Sequence, residues 1–179
     1  MIIDLAGYDA MSEDDCRLHE LVDGVLVEMS PRGLLHQRAL VELVHQLDER
    51  LPVDLNVLHS FDVLLKDGTS PLMRKPDVVV APTKLFYREV TRFDAADVVL
   101  VAEILSEESE DLDLRIKLRE YAAAGIPNYW VVALDDPVSL VAYSLAGGRY
   151  ELAVGGAQAI DVVSPSPMSL DLDALLRRR

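Results

Sequence analysis

The chain predicts an α+β fold with one mixed central sheet, and three observations carry that prediction. Short runs rich in Val and Ile alternate with longer stretches in which apolar residues recur at helical spacing. The middle of the chain reads in order helix, strand, strand, strand, helix, strand, an αβββαβ core. A hairpin with an Asp-Gly turn precedes this core, and a β meander follows it. The 179 residues, half of them apolar, are enough for one domain with a real core over 1–179 and argue against disorder.

Taken in order, residues 1–19 predict a loop and a short helix around Ser12-Glu13-Asp14-Asp15, with Cys16 a small packing residue. Glu20 to Met29 reads as the hairpin, turning at Asp23-Gly24. Pro31-Arg32-Gly33 breaks the chain before a helix over 35–51, whose buried stripe is Leu40, Leu43, Val44 and Leu47. His36 lies one turn before Leu40 and therefore on the inward side, where it either meets a site or simply packs. Pro52 ends the helix. A strand over 57–65, a Lys66-Asp67-Gly68 turn, and a strand starting at Lys75 or Pro76 follow. Lys75 stands close enough to Asp77 to pair with it, but reads first as an exposed strand-edge lysine. Residues 82–97 predict a polar connection with a short helical turn. After Asp136-Pro137 come strands over 139–145 and 149–154 joined by Gly147-Gly148, then a strand over 159–163, a terminal helix or turn over 169–176 and a basic tail.

The chemistry concentrates between Val98 and Ala133. Val99 to Leu105 suits a strand buried on both faces, yet Glu103 interrupts it on the face shared by Val101 and Leu105. An ionised carboxylate there costs several kcal/mol or more unless it is paired. The next helix, 113–124, offers a partner. Leu114, Leu118, Tyr121 and Ala122 form its apolar stripe, and Lys117 lies about 60° from Leu114 around the axis, so its ammonium can reach inward. Asp113 stands four residues before Lys117 and reads as its ion-pair partner. Gly125 and Pro127 stop the helix, and Tyr129-Trp130 opens the next strand as core. Asp77 abuts a second buried run, Val78 to Ala81. Two acids at central strands with a lysine on the helix above them suit a hard divalent cation, Mg²⁺ or Mn²⁺, with Lys117 orienting a nucleophile or neutralising developing charge.

These residues resemble a known family. Pro76-Asp77 followed by Glu103-x-Leu105, with the lysine supplied by the next helix, is similar to the PD-(D/E)XK nuclease superfamily. Glu20-Leu-Val-Asp-Gly24, Met29-Ser-Pro31, His36, Pro76-Asp77-Val78, Glu103-Ile-Leu-Ser106, Asp113, Lys117, Tyr121 and Ala124-Gly-Ile-Pro-Asn-Tyr-Trp130 together resemble its Uma2, or DUF820, family over roughly 10–175. The resemblance implies a restriction-endonuclease-like fold and metal-dependent cleavage of phosphodiester bonds, with DNA as substrate. Asp77 and Glu103 would hold the metal, Lys117 would act with them, Glu20 would add a further acid, and His36 would be an accessory residue. Read from the residue alone, Glu20 is first a solvated carboxylate at a strand end. The chain departs from the family where Ser-Pro-Ser-Thr is replaced by Ser106-Glu107-Glu108-Ser109, which leaves five acids within 107–113. Acids there suit a helix N-terminus but repel a phosphodiester.

Composition sets the remaining bounds. Cys16 is the sole cysteine, and the four histidines lack HxxxH or HxH spacing, which argues against disulfides, thiolate clusters and a dedicated zinc site. No apolar run approaches a membrane span, and MIIDLAGYDAMSEDD lacks the basic flank of a signal peptide, so a cytoplasmic protein is expected. The net charge of −14 predicts weak binding to DNA unless metal ions, a partner or an oligomer assist, even if Arg32, Arg38, Arg74, Lys75, Lys84, Arg88 and Arg92 form a basic rim. A homodimer is expected, because cutting two strands takes two sites. The alternative is a nuclease-fold binding module, catalytically weak or inert, that works through protein partners or self-association. A third reading makes the acids and lysine a purely structural ion network.

Overall fold

A computed structural model describes residues 2–105 and 111–177. Two short helices open it, α1 (Leu5–Asp9) and α2 (Glu13–Leu18), capped by the side chains of Asp4 and Ser12. The hairpin β1 (His19–Val22) and β2 (Val25–Glu28) turns through Asp23 and Gly24, both at positive φ, which matches the twist of the flanking strands. Then follow α3 (Leu34–Arg50), β3 (Leu55–His59), β4 (Asp62–Lys66), β5 (Leu72–Arg74), β6 (Val78–Pro82) and β7 (Arg92–Asp94). The second half holds β8 (Leu100–Ile104), α4 (Asp111–Ala123), β9 (Asn128–Ala133), β10 (Ser139–Ala146), β11 (Arg149–Ala157), β12 (Ala159–Val162) and β13 (Met168–Asp171).

The main sheet has the order β11-β10-β9-β8-β6-β3, and a second sheet has the order β2-β1-β5-β4-β7. β8 and β9 run parallel across α4, while β3, β6 and β8 are antiparallel neighbours and β9, β10 and β11 form the meander. The succession α3, β3, β6, β8, α4, β9 is the expected αβββαβ core.

Strand alternation divides the main sheet's side chains between two layers. On one face Leu40, Leu43 and Leu47 of α3 pack against Val57, Val78, Val80, Leu100, Ala102 and Trp130. On the other, Val79, Ala81, Val101 and Tyr129 meet Tyr121 of α4 together with Val63 and Phe93 of the second sheet.

Three boundaries differ from expectation. The predicted strand 57–65 is two strands in different sheets, broken at Ser60, whose φ is +52°. Apolar residues flank the break on both sides because each half is buried in its own sheet, so periodicity does not show it. The strand predicted from Lys75 or Pro76 starts at Val78, because Pro76 has no N–H for a ladder and the chain crosses back between sheets there. At the C-terminus, Met168–Asp171 is a strand paired with β12, and only Asp173–Leu175 turns helically.

Lys75 is also corrected. It is 7% exposed at the crossing, and its ammonium donates to the Cys16 carbonyl at 2.7 Å and stands 3.2 Å from Asp62 Oδ1, not against Asp77. Burial of the crossing forces this internal pairing. Of the acidic run at 107–113, residues 107–110 and the side chains of 111–113 lie outside what the structure describes, and the expected Asp113–Lys117 pair with them.

Candidate active site

Register places the two principal acids. Val78 pairs with Ala102 across β6 and β8, so one further step sets Asp77 opposite Glu103 where the ladder ends. There the irregular stretch Met29–Gly33, α3, α4 and the hairpin converge on a cavity of about 410 Å³. Its lining includes Glu20, Arg32, His36, Asp77, Glu103 and Lys117.

Asp77 is buried, and two groups hold its Oδ2: the Ile104 N–H at 2.8 Å and His36 Nε2 at 3.0 Å. An ionised carboxylate only accepts, so His36 carries its proton on Nε2. His36 Nδ1, equally buried, has no hydrogen-bond partner among the described residues. Arg32 Nη2 stands 2.9 Å from Asp77 Oδ1 as an ion pair, but Oδ1 is enclosed and makes no aligned hydrogen bond among the described residues. Burial alone would raise the Asp77 pKa. The His36 hydrogen bond, the Arg32 charge and the Ile104 N–H outweigh it, so Asp77 is held below the ordinary aspartate value.

Glu103 has the opposite balance. Its Oε1 accepts from the Tyr121 hydroxyl at 2.7 Å, and Lys117 Nζ lies 3.3 Å from the same oxygen. Burial dominates, and the negative charges of Asp77 and Glu20 add to it, so its pKa is pushed up to about 7 despite Lys117 and Tyr121. One acid is thus fixed as an anion while its neighbour is poised near neutrality.

Glu20 reaches the same cavity with both oxygens engaged. Arg74 Nη1 donates to Oε2 at 2.7 Å, and the Lys75 N–H donates to Oε1 at 3.0 Å. Burial opposes its ionisation, but Lys117, Arg74 and the Lys75 N–H prevail, so its pKa is lowered. Arg74 is itself buried and grips Glu120 of α4 with two further bonds, at 2.7 and 3.0 Å, which ties the hairpin to the helix that carries Lys117.

The structure therefore gathers Glu20, His36, Asp77, Glu103 and Lys117 around one cavity. Sequence reasoning did not find Arg32 as the partner of Asp77, Arg74 as the partner of Glu20, or the Tyr121 hydroxyl on Glu103. Tyr121 had a signal, since it follows Lys117 by four residues on one helix face. Arg74 had none, because only the pairing of β1 with β5 brings it to Glu20.

Among the described residues, no three His, Cys, Asp or Glu side chains cluster as a ready-made cation site. Asp77 and Glu103 nevertheless suit a hard cation. Both offer carboxylate oxygen at the end of one ladder, and the buried Asp77 Oδ1 has no hydrogen-bond partner among the described residues. The remaining ligands would be backbone carbonyls and water, as Mg²⁺ commonly accepts.

A family model described as "Uma2: Putative restriction endonuclease" matches residues 5–174. The fold is similar to the crystal structure of a "putative nuclease belonging to DUF820" from Anabaena variabilis ATCC 29413, with a TM-score of 0.72, 16% identity and 97% of each chain covered. No curated protein matches the chain.

Proposed function

Because the chain belongs to the Uma2 family, we propose that it is an endonuclease that hydrolyses phosphodiester bonds in DNA with Mg²⁺ or Mn²⁺ bound by Asp77 and Glu103. The observation that carries this reading is the meeting of Asp77, Glu103 and Lys117 in one cavity at the end of the β6–β8 ladder. A bound divalent cation supplies Lewis acidity at a phosphoryl oxygen and makes a coordinated water more acidic.

The chain's own groups do the rest. Asp77, kept ionised and clamped at Oδ2 by His36 and the Ile104 N–H, presents Oδ1 in a fixed position. Tyr121 fixes Oε1 of Glu103. Lys117, anchored beside Glu103, orients the attacking water and offsets the charge carried by the oxygens around the pentacovalent phosphorus. Glu20 adds negative charge to the cavity, with its oxygens committed to Arg74 and the Lys75 N–H. Self-association would bring a second site to the other strand, and the cytoplasm is the proposed compartment.

The test is cleavage of supercoiled and single-stranded DNA in Mn²⁺ by wild type, Asp77→Asn, Glu103→Gln and Lys117→Met. Wild type is expected to cut, with each variant slower by 100-fold or more. Equal rates in Asp77→Asn and wild type would overturn the assignment. The net charge of −14 favours a second reading, a nuclease-fold binding module with little turnover. Mn²⁺ binding that Glu103→Gln abolishes, with no cleavage of either DNA by wild type, would select it.

A further inference from the structure

Asp77 Oδ1 is the oxygen that the proposed cation site needs, and it is already covered. Arg32 Nη2 sits 2.9 Å from it, and the oxygen has essentially no solvent exposure. The guanidinium therefore closes the approach that a cation would use. Arg32 is poorly suited to stay there. It comes from the irregular stretch between β2 and α3, its side chain is 24% exposed, and among the described residues its other terminal nitrogen is held only by the Ser60 hydroxyl at 2.9 Å. A side chain on such a stretch can swing without breaking any strand ladder. The other partners of Asp77, His36 and the Ile104 N–H, lie on a helix and a strand and occupy Oδ2 instead.

We propose that Arg32 is a displaceable stand-in for the cation: it neutralises Asp77 in the metal-free protein, leaves Oδ1 when a divalent cation arrives, and passes its guanidinium to a phosphate of the substrate. The inference rests on the metal site proposed above. Displacement costs the protein one ion pair, so wild type binds the cation more weakly than its carboxylates alone would. The freed guanidinium then lies in the same cavity, where a fork of donors suits a phosphate better than a point charge does. Metal and substrate thereby become coupled through one side chain.

The test is calorimetric titration of Mn²⁺ into wild type, Arg32→Ala and Asp77→Asn, with fluorescence anisotropy of a labelled 20-base-pair duplex in Ca²⁺ for the first two. Arg32→Ala is expected to bind Mn²⁺ at least fivefold more tightly than wild type. It should bind the duplex more weakly, with the salt slope reduced by about one. Ser60→Ala, which removes only the second anchor, should shift Mn²⁺ affinity in the same direction by less, and serves if Arg32→Ala does not fold. Unchanged or weaker Mn²⁺ binding in these variants, with binding intact in wild type and lost in Asp77→Asn, overturns the Arg32 inference alone. Tighter Mn²⁺ binding with unchanged duplex affinity overturns it too, since the guanidinium then has no substrate role. No Mn²⁺ binding by folded wild type or Arg32→Ala overturns the metal site together with it.

Discussion

Single side chains decide how this cavity responds to pH. Glu103 is raised to about 7 from an ordinary value of 4.5, so its neutral form is favoured by folding. The stabilisation is fully present below about pH 4.5 and is lost as pH rises through about 7. A displacement of this size corresponds to about 3 kcal/mol. Urea unfolding between pH 5 and 8.5 should show wild type losing stability relative to Glu103→Gln by that order, and parallel curves would refute the burial argument. A cation entering beside Glu103 would expel its proton, so Mn²⁺ titrations in buffers of different ionisation enthalpy should report proton release at neutral pH. Tyr121→Phe keeps the ring packed on Tyr129 but takes one donor from Glu103. We expect a loss of about 1–3 kcal/mol in urea and a further upward shift of the Glu103 titration. Glu103 and Lys117 were legible because a charge inside an apolar strand demands a partner and the next helix holds a lysine at the right angle. The clamp on Glu20 was not, since a carboxylate four residues before Gly24 reads first as solvent-exposed until its strand neighbour is known.

At the scale of elements, Arg74 is the bolt between hairpin, sheet and helix. Its guanidinium engages Glu20 on β1 and Glu120 on α4, and all three side chains are largely removed from water. Arg74→Ala leaves two carboxylates without their cation and should cost about 3–5 kcal/mol. Glu120→Gln, which keeps an acceptor on α4, should cost clearly less. Chemical unfolding of both variants checks the order, and an Arg74→Ala protein as stable as Glu120→Gln would show that the bolt is dispensable. Elements with their own local signals were readable: the Asp23-Gly24 and Gly147-Gly148 turns, the stripe of α3, and the run of β8, apolar except for Glu103. What periodicity could not show was the change of sheet at Ser60 and again at Lys75-Pro76-Asp77. Alternation along a strand says which face is buried, not which sheet the strand joins. The misreading of Lys75 follows from this, because a lysine at a crossing has buried surroundings that no edge strand has.

Over the whole molecule, charge is the dominant constraint. Of the seven basic residues that were candidates for a substrate-facing rim, Arg32, Arg74, Lys75 and Arg92 are paired internally with Asp77, Glu20 and Glu120, Asp62 and Asp9. With a net charge of −14, the protein is expected to show no measurable affinity for duplex DNA at about 50 mM salt without divalent cations, and to gain it when Mn²⁺ or Ca²⁺ is added. Anisotropy titrations with and without chelator test this, and tight binding in chelator would mean that a basic surface exists elsewhere. The αβββαβ order was legible from the sequence as a whole because both helices repeat apolar residues at helical spacing and β6, β8 and β9 are short, nearly unbroken apolar runs. The division into two sheets has a further consequence. The Ser60 N–H donates to the Asp77 carbonyl at 3.0 Å, so the point where the chain leaves the main sheet is stitched to the point where it returns, beside the acid that would hold the metal. Locking Asp77 therefore closes the base of the β4–β5 excursion. Hydrogen–deuterium exchange in Mn²⁺ should slow the amides of β4 and β5, far along the chain from Glu103, while the meander at β10 and β11 keeps its metal-free rates.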